Sequence, residues 1–410
     1  MNRLSRLLPS LTLSLLTLGA VPAVHAEAPQ VRTQVPGYQR HMVGQFEVTA
    51  LYDGRIQLDS KLLKNATPKE ISQLLARSFR SSPTPTAVIA FLVNTGKQLV
   101  LVDAGAAQLF GPSLGQVLAN LMDACYQPEQ VDAVLLTHLH GDHVGGLRTA
   151  EGQMAFPNAQ VYVSKADADH WLNPAVMAKA PAAAQGFFQA AQNSVAPYVQ
   201  ADRLRTYAGT DEILPGVRPV QTHGHTPGHT SYLFQSEGQQ LLVWGDIVHN
   251  AAVQFPKPQV TIEFDSVPAQ ALATRMKVLG WTAKDALPVA GAHLPFPGMG
   301  QVRADPMVLK SGDETYTLKF ECRPCEMHVM GKMKKHILKS PSPSEIPATA
   351  PLSTSSAARK ASRLRCLTVA CTSSGGPACG SNLPPMRRCS RAPSPEAKQM
   401  PTASGSHSGP

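Results

Sequence analysis

Between residues 27 and 305 the chain has a single cysteine, Cys125; the other six, Cys322, Cys325, Cys366, Cys371, Cys379 and Cys389, lie beyond that body. One cysteine cannot cross-link the body to itself, so its stability must come from a hydrophobic core, for which about 280 residues are ample. Basic excess is missing there too. Of 37 Lys and Arg, 15 lie in 306–410 and two in 1–26, which leaves 20 against 22 Asp and Glu in 27–305. The net charge of +9 therefore belongs to the two ends, and the body has no positive surplus with which to hold nucleic acid. After residue 26 no apolar run approaches the ~20 residues of a membrane span, so no stable membrane anchor is expected.

The first 26 residues have a different character. Arg3 and Arg6 precede an apolar stretch from Leu7 to Val21, and Val24-His25-Ala26 puts small residues where a signal peptidase reads. Residues 1–26 are expected to be a signal peptide that sends the chain to the periplasm or outside the cell.

The body alternates strand-like and helical patterns. After an irregular lead-in over 27–44, strands are expected at 46–52, 87–93, 98–103, 131–136, 161–163, 218–222, 230–234, 241–244 and 287–290. Helical periodicity covers 113–124 and 266–279, and an Ala-rich helical region covers 165–200, broken at Asn173-Pro174 and Ala180-Pro181. Strand-rich runs in two similar halves with helices between them suggest an α/β fold of two packed sheets with helices outside.

The densest chemistry lies at 137–146, Thr-His-Leu-His-Gly-Asp-His-Val-Gly-Gly, directly after the apolar run Val131–Leu136. His138, His140, Asp142 and His143 offer three imidazoles and a carboxylate, donors suited to Zn, Mn, Fe or Co. Four such groups so close together are awkward around one ion, which suggests two metals. Further candidates also follow apolar runs at Gly-containing turns: His223-Gly-His225-Thr-Pro-Gly-His229, Gly245-Asp246 and Ala292-His293. A lone His at a strand end is usually structural; four such loops in this order are not ordinary.

These residues resemble the metallo-β-lactamase superfamily, whose hallmark is His-x-His-x-Asp-His followed by a distant His, an Asp and a final His. Over roughly 30–304 the resemblance is to the methyl parathion hydrolase branch, with its lactonase and aryl esterase relatives. It is carried by Gly37-Tyr38, Phe110-Gly-Pro112, Tyr126–Val131, Ala251–Phe255 and Ala292–Gly298. The resemblance implies an αββα sandwich with two divalent cations, zinc by preference, and Mn, Co or Fe as alternatives. His138, His140 and His229 would hold one; Asp142, His143 and His293 would hold the other. Asp246 would bridge them together with a hydroxide, so that Asp246 and Asp142 serve catalysis directly and no Ser or Cys nucleophile is needed.

Other residues take roles by position. Asp103 either orients a ligand imidazole from behind or forms a turn. His225 is expected behind the ligands or as a structural residue, and His249 either faces the pocket or lies at the surface. Phe110, Trp171, Phe187 and Phe188 match aromatics that line the substrate mouth in the resembled branch, or else are ordinary core residues.

The function this implies is an exported hydrolase of an ester-like bond in a small molecule: a phosphotriester, a lactone or an aryl ester. Homodimers are common among such relatives. The alternatives within the superfamily are a β-lactamase, against which Asp246 argues because those enzymes typically carry Cys or Ser there, and a thioesterase, which shares Asp246 but is not favoured by Ala251–Phe255. A non-catalytic binding protein on a degraded scaffold is the reading from a different class. It arises because 306–410 departs from the family into a Ser/Pro/Arg/Cys-rich tail with a disorder signature. A frameshift or cloning fusion explains that tail better than a small zinc module built from Cys322, Cys325, His328 and His336. Within it, Tyr316–Phe320 is a candidate strand.

Overall fold

The computed structural model describes residue 30, residues 34–304 and residues 315–319. The expected signal peptide and the cysteine–histidine segment at 322–336 lie outside the described residues, as does most of the tail.

Two mixed sheets dominate. The first has the order β1 (Tyr38–Val43), β2 (Phe46–Leu58), β4 (Thr84–Asn94), β5 (Leu99–Val102), β6 (Ala133–Leu135), β7 (Gln160–Ser164) and β8 (Leu204–Tyr207). The second has the order β15 (Tyr316–Lys319), β14 (Met299–Ala304), β13 (Pro288–Ala290), β11 (Gln239–Val243), β10 (Thr230–Ser236) and β9 (Val217–Gln221). A small pair, β3 (Leu63–Lys64) with β12 (Thr261–Ile262), ties the two halves of the sequence together.

Strand periodicity explains why the sheets stack. In β5 all four residues are buried, but successive side chains point to opposite faces. Val100 and Val102 enter the layer between the sheets, with Phe91, Leu135, Tyr232, Phe234 and Val243. Leu99 and Leu101 face outward, where Leu121, Val195 and Tyr198 cover them. Those residues come from α2 (Val117–Asp123) and α6 (Ala182–Gln200). On the far side, α7 (Pro268–Lys284) lays Val278 and Leu279 over Leu242 and Val289. The result is the expected αββα sandwich. No helix among the described residues is long and apolar enough to cross a membrane.

Several elements differ from expectation. The lead-in over 27–44 contains β1, paired residue for residue with β2 from Tyr38↔Leu51 to Val43↔Phe46. The helix expected over 113–124 begins only at Val117, because Gly115 at φ +89° is left-handed and Asp53 accepts from the Gly115 and Val117 amides instead. An unexpected helix, α1 (Pro68–Arg77), starts with a capping box between Thr67 and Glu70. The prolines divide 165–200 as expected into α4 (Lys165–Trp171), α5 (Pro174–Lys179) and α6. The candidate strand in the tail is present: β15 pairs with β14, Val302 opposite Leu318, and Tyr316 is buried against the outer face of the second sheet.

Candidate metal centre

Every candidate loop leaves the same edge of the sandwich. β5, β6 and β7 are parallel, and in the second sheet β9, β11 and β13 run one way. Asp103, His138–His143, His225, Asp246 and His293 follow the C-terminal ends of β5, β6, β9, β11 and β13. The turn that leaves α3 (Gly141–Val144) lies almost on the neighbouring backbone. A Cβ at Gly146 would sit 1.9 Å from the Ala104 carbonyl oxygen, so only glycine fits there.

Two groups of donors result. His138 Nε2 lies 3.0 Å from His140 Nδ1, which lies 3.1 Å from His225 Nε2. His225 Nε2 is in turn 3.2 Å from Asp246 Oδ2. In the second group Asp142 Oδ2 is 3.6 Å from His143 Nε2 and 3.3 Å from His293 Nε2. Asp246 touches both groups, with Oδ1 3.2 Å from His143 Nε2 and Oδ2 3.2 Å from His293 Nε2. Ligand atoms around a tetrahedral cation with bonds near 2.1 Å are spaced roughly 3.4 Å apart. The observed spacings straddle that value. His143 Nε2 and Asp246 Oδ1 are buried and have no hydrogen-bond partner although they face each other, as expected of atoms aimed at a cation. Two clusters of His and Asp sharing Asp246 thus fit a binuclear divalent-metal site.

The electrostatics are divided. Burial holds His138 and His140 well below the ordinary imidazole range, so both are neutral, the form of imidazole that ligates a cation. Burial also opposes charge on His143 and His293, but Asp246 and Asp142 outweigh it; His143 is held well above the ordinary range and His293 rises to about 10. For Asp246 burial favours the protonated form, yet His143, His293 and His249 hold the carboxyl well below its ordinary value.

Four of the rings, those of His138, His143, His225 and His293, are also held from behind, which fixes their tautomers. Asp103, in the left-handed region at φ +58°, accepts from His143 Nδ1 at 2.8 Å and from the Thr137 amide. This is the orienting role considered for it. Thr137 Oγ1 meets His138 Nδ1 at 3.1 Å, and His293 Nδ1 donates to the Ala87 carbonyl at 2.9 Å. Asp265 holds His225 Nδ1 at 2.9 Å, and buried Arg275 lies 3.8 Å from the other oxygen of Asp265.

His225 and His229 have changed places relative to expectation. Both nitrogens of His229 are occupied: Nε2 accepts the Asp246 backbone N–H at 3.0 Å, and Nδ1 meets Thr222 Oγ1 at 2.8 Å. It has no lone pair left for the cluster and instead props the turn that carries Asp246. His225, expected behind the ligands, stands among them. His249 is buried, stacked on His293 at 5.3 Å, with Nε2 3.1 Å from Asp246 Oδ2. It faces the cluster and not the outer surface.

The aromatics separate into two roles. Trp171 and Phe187 lie 5.1 and 6.0 Å from the His140 ring, and Phe110 is 47% exposed beside Gly141. Phe188 is buried in the core under α6, because its neighbour Phe187 takes the side of the helix that faces the cluster. Phe264, 6.5 Å from Phe187, extends this rim and had no local signal. Besides Asp265, two further carboxylates support the site although nothing in the sequence around them marks that role. Asp167 accepts from the Leu139 and Gly228 amides, both at 2.8 Å, and so clamps two ligand loops together. Asp53 accepts from the Ala106, Gly115 and Val117 amides and shapes the loop that bears Phe110. Ser113, within the Gly111–Gly115 stretch, is no nucleophile elbow: no strand leads into it, and its Oγ donates to the Arg55 carbonyl.

Fold and site together define a binuclear, metal-dependent hydrolase of αββα architecture. The chain belongs to the metallo-beta-lactamase superfamily, whose family model matches residues 83–293. It is similar to a crystal structure of hydrolase AbOPH in the beta lactamase superfamily, at 39% identity and a TM-score of 0.66, covering 70% of this chain and all of that one. It is also similar to AidC, a dizinc quorum-quenching lactonase, at 25% identity and a TM-score of 0.63, covering 70% of this chain and 97% of that one. An N-acyl homoserine lactonase of Bacillus sp is 28% identical over 204 residues, 45% of this chain and 68% of that protein. Over 47 residues the chain is 62% identical to the 23S rRNA 5-hydroxycytidine C2501 synthase of Escherichia coli (strain K12), a match that covers 12% of this chain and only 7% of that protein.

Proposed function

We propose that the chain is an exported hydrolase of an ester-like bond, acting on a lactone, an aryl ester or a phosphotriester. The observation that carries this reading is the pair of donor groups sharing Asp246 beneath an aromatic mouth. His138, His140 and His225 would hold one cation, Asp142, His143 and His293 the other, with Asp246 between them. Two divalent ions there, zinc by donor type, supply Lewis acidity that polarises a carbonyl or phosphoryl oxygen and makes water acidic at neutral pH. The remaining work falls to side chains. Asp142 is ionised and partly open to solvent, placed to take a proton from the attacking water. Neutral His249, pushed down to about 4 by burial, offers an N–H to an oxygen of the bound ester. Trp171, Phe187, Phe110 and Phe264 hold an apolar leaving group or acyl chain and exclude bulk water.

The resemblance to the methyl parathion hydrolase branch supports the phosphotriester, and the two lactonase relatives support the lactone. The pattern of the first 26 residues supports export, and detection of the mature chain in a periplasmic fraction would check it. The primary test is hydrolysis of an aryl phosphotriester, an acyl lactone and an aryl ester, with and without chelator. Chelator-sensitive turnover of at least one supports the reading. Absence of turnover by protein carrying two metals per chain overturns it.

A further inference from the structure

An opening on the side of the cluster away from Trp171 and Phe187 reaches His249 and His293. It is a cavity of about 850 Å³, and His249 and His293 form part of its wall. Tyr52, Phe255 and Phe296 give it an apolar body, while Arg55, Arg77 and Arg80 open onto it. No Asp or Glu is among the described residues that line it. The arginines in ion pairs among the described residues are Arg40, Arg205 and Arg275, none of which lines this cavity.

The backbone places the positive charge along the cavity. Arg55 stands opposite Ala87 in the β2–β4 register, and the Ala87 carbonyl holds His293. Arg77 closes α1 and Arg80 follows, leading into β4 at Thr84. Thr84 is three residues from Ala87, roughly 10 Å along a strand. Three cations that form no ion pair with a described residue, in a concave, partly apolar wall, focus a positive potential. The guanidinium fork matches a carboxylate, whereas a neutral substrate gains nothing from it.

We propose that this cavity seats the anionic arm of the substrate: an ester or lactone whose acyl chain ends in a carboxylate, held among Arg55, Arg77 and Arg80 while the scissile bond lies at the His249–His293 end. The inference rests on the hydrolase reading, and its test separates the two. Two aryl esters with the same scissile bond would be compared on the metal-loaded full chain: 4-nitrophenyl hexanoate, and the mono-4-nitrophenyl ester of adipic acid, whose chain ends in a carboxylate. The anionic ester should be favoured in kcat/KM by roughly tenfold, through KM, as expected of charge-assisted recognition. That ratio should fall toward one in the triple variant Arg55→Gln, Arg77→Gln, Arg80→Gln, and in about 0.5 M salt. A wild-type ratio at or below one, or a ratio the triple variant leaves unmoved, overturns the inference. Calorimetry with adipate and the metal-free protein gives a readout independent of turnover. Arginine-dependent adipate binding, with no hydrolysis of either ester, of an acyl lactone or of an aryl phosphotriester by protein carrying two metals per chain, would sustain the cavity and sink the hydrolase reading. Hydrolysis of both esters without preference, and without adipate binding, would do the reverse.

Discussion

At the scale of single residues the decisive contrast is between His225 and His229, four positions apart in one loop. Their environments differ because of partners distant in the chain. Asp265 holds the outer nitrogen of His225, while Thr222 and the Asp246 amide occupy both nitrogens of His229. Replacing His225 with Ala should reduce bound metal from two toward one per chain, read by plasma mass spectrometry. His229→Ala should leave the Asp246 N–H buried and unsatisfied, costing about 1–3 kcal/mol in a denaturation curve while most of the metal stays bound. The opposite ranking would return His229 to the ligand set. Nothing in the spacing His-Gly-His-Thr-Pro-Gly-His could have made this choice, because a loop without helical period does not assign faces.

At the scale of elements, two additions to the sandwich invite measurement. Tyr316 on β15 is buried against the second sheet, and its backbone N–H donates to the Phe255 carbonyl at 2.9 Å. Tyr316→Ala should cost about 3–5 kcal/mol, the usual range for a buried aromatic, measured by urea unfolding. A negligible change would mean that β15 adds nothing to the sheet. Helix α1 supplies the second case. Glu70 is drawn down to about 2 chiefly by Lys257, with which it bonds at 2.7 Å, and by Thr67 of the capping box. A carboxyl lowered on folding stabilises fully above its ordinary 4.5 and loses that contribution as pH falls toward 2. The Tm advantage of wild type over Glu70→Gln should therefore shrink as pH drops through that window. A constant advantage would show that the cap works without charge. The same helix illustrates what was readable locally. Thr67-Pro-Lys-Glu70 is a capping-box signature, whereas the late start of α2 depended on Asp53, more than sixty residues upstream of Val117.

At the scale of the whole molecule, metal and fold should be coupled. The cluster brings together buried imidazoles and carboxylates from both sheets, with atoms such as His143 Nε2 and Asp246 Oδ1 unsatisfied. A cation held a thousandfold above its Kd adds about 4 kcal/mol per site, so chelation should lower Tm by roughly 10 °C or more, and zinc should restore it. An unchanged Tm would indicate that the clusters hold no metal.

The sequence alone determined a great deal here. Unbroken apolar runs such as Leu99–Val102 marked buried strands, and their recurrence in two similar halves with helices between pointed to two packed sheets. His138-x-His140-x-Asp142-His143 determined a metal turn, because short-range spacing fixes which donors share a loop. Asp246 and His293 were also legible, each standing just past an apolar strand. What the tertiary structure decided was which atoms point inward: His225 in place of His229, Phe187 in place of Phe188, and Asp265, Asp167 and Phe264 as partners with no local mark. Those choices depend on contacts between residues tens of positions apart, and only packing the two sheets face to face, with their loops at one edge, brings such residues within a hydrogen bond of one another.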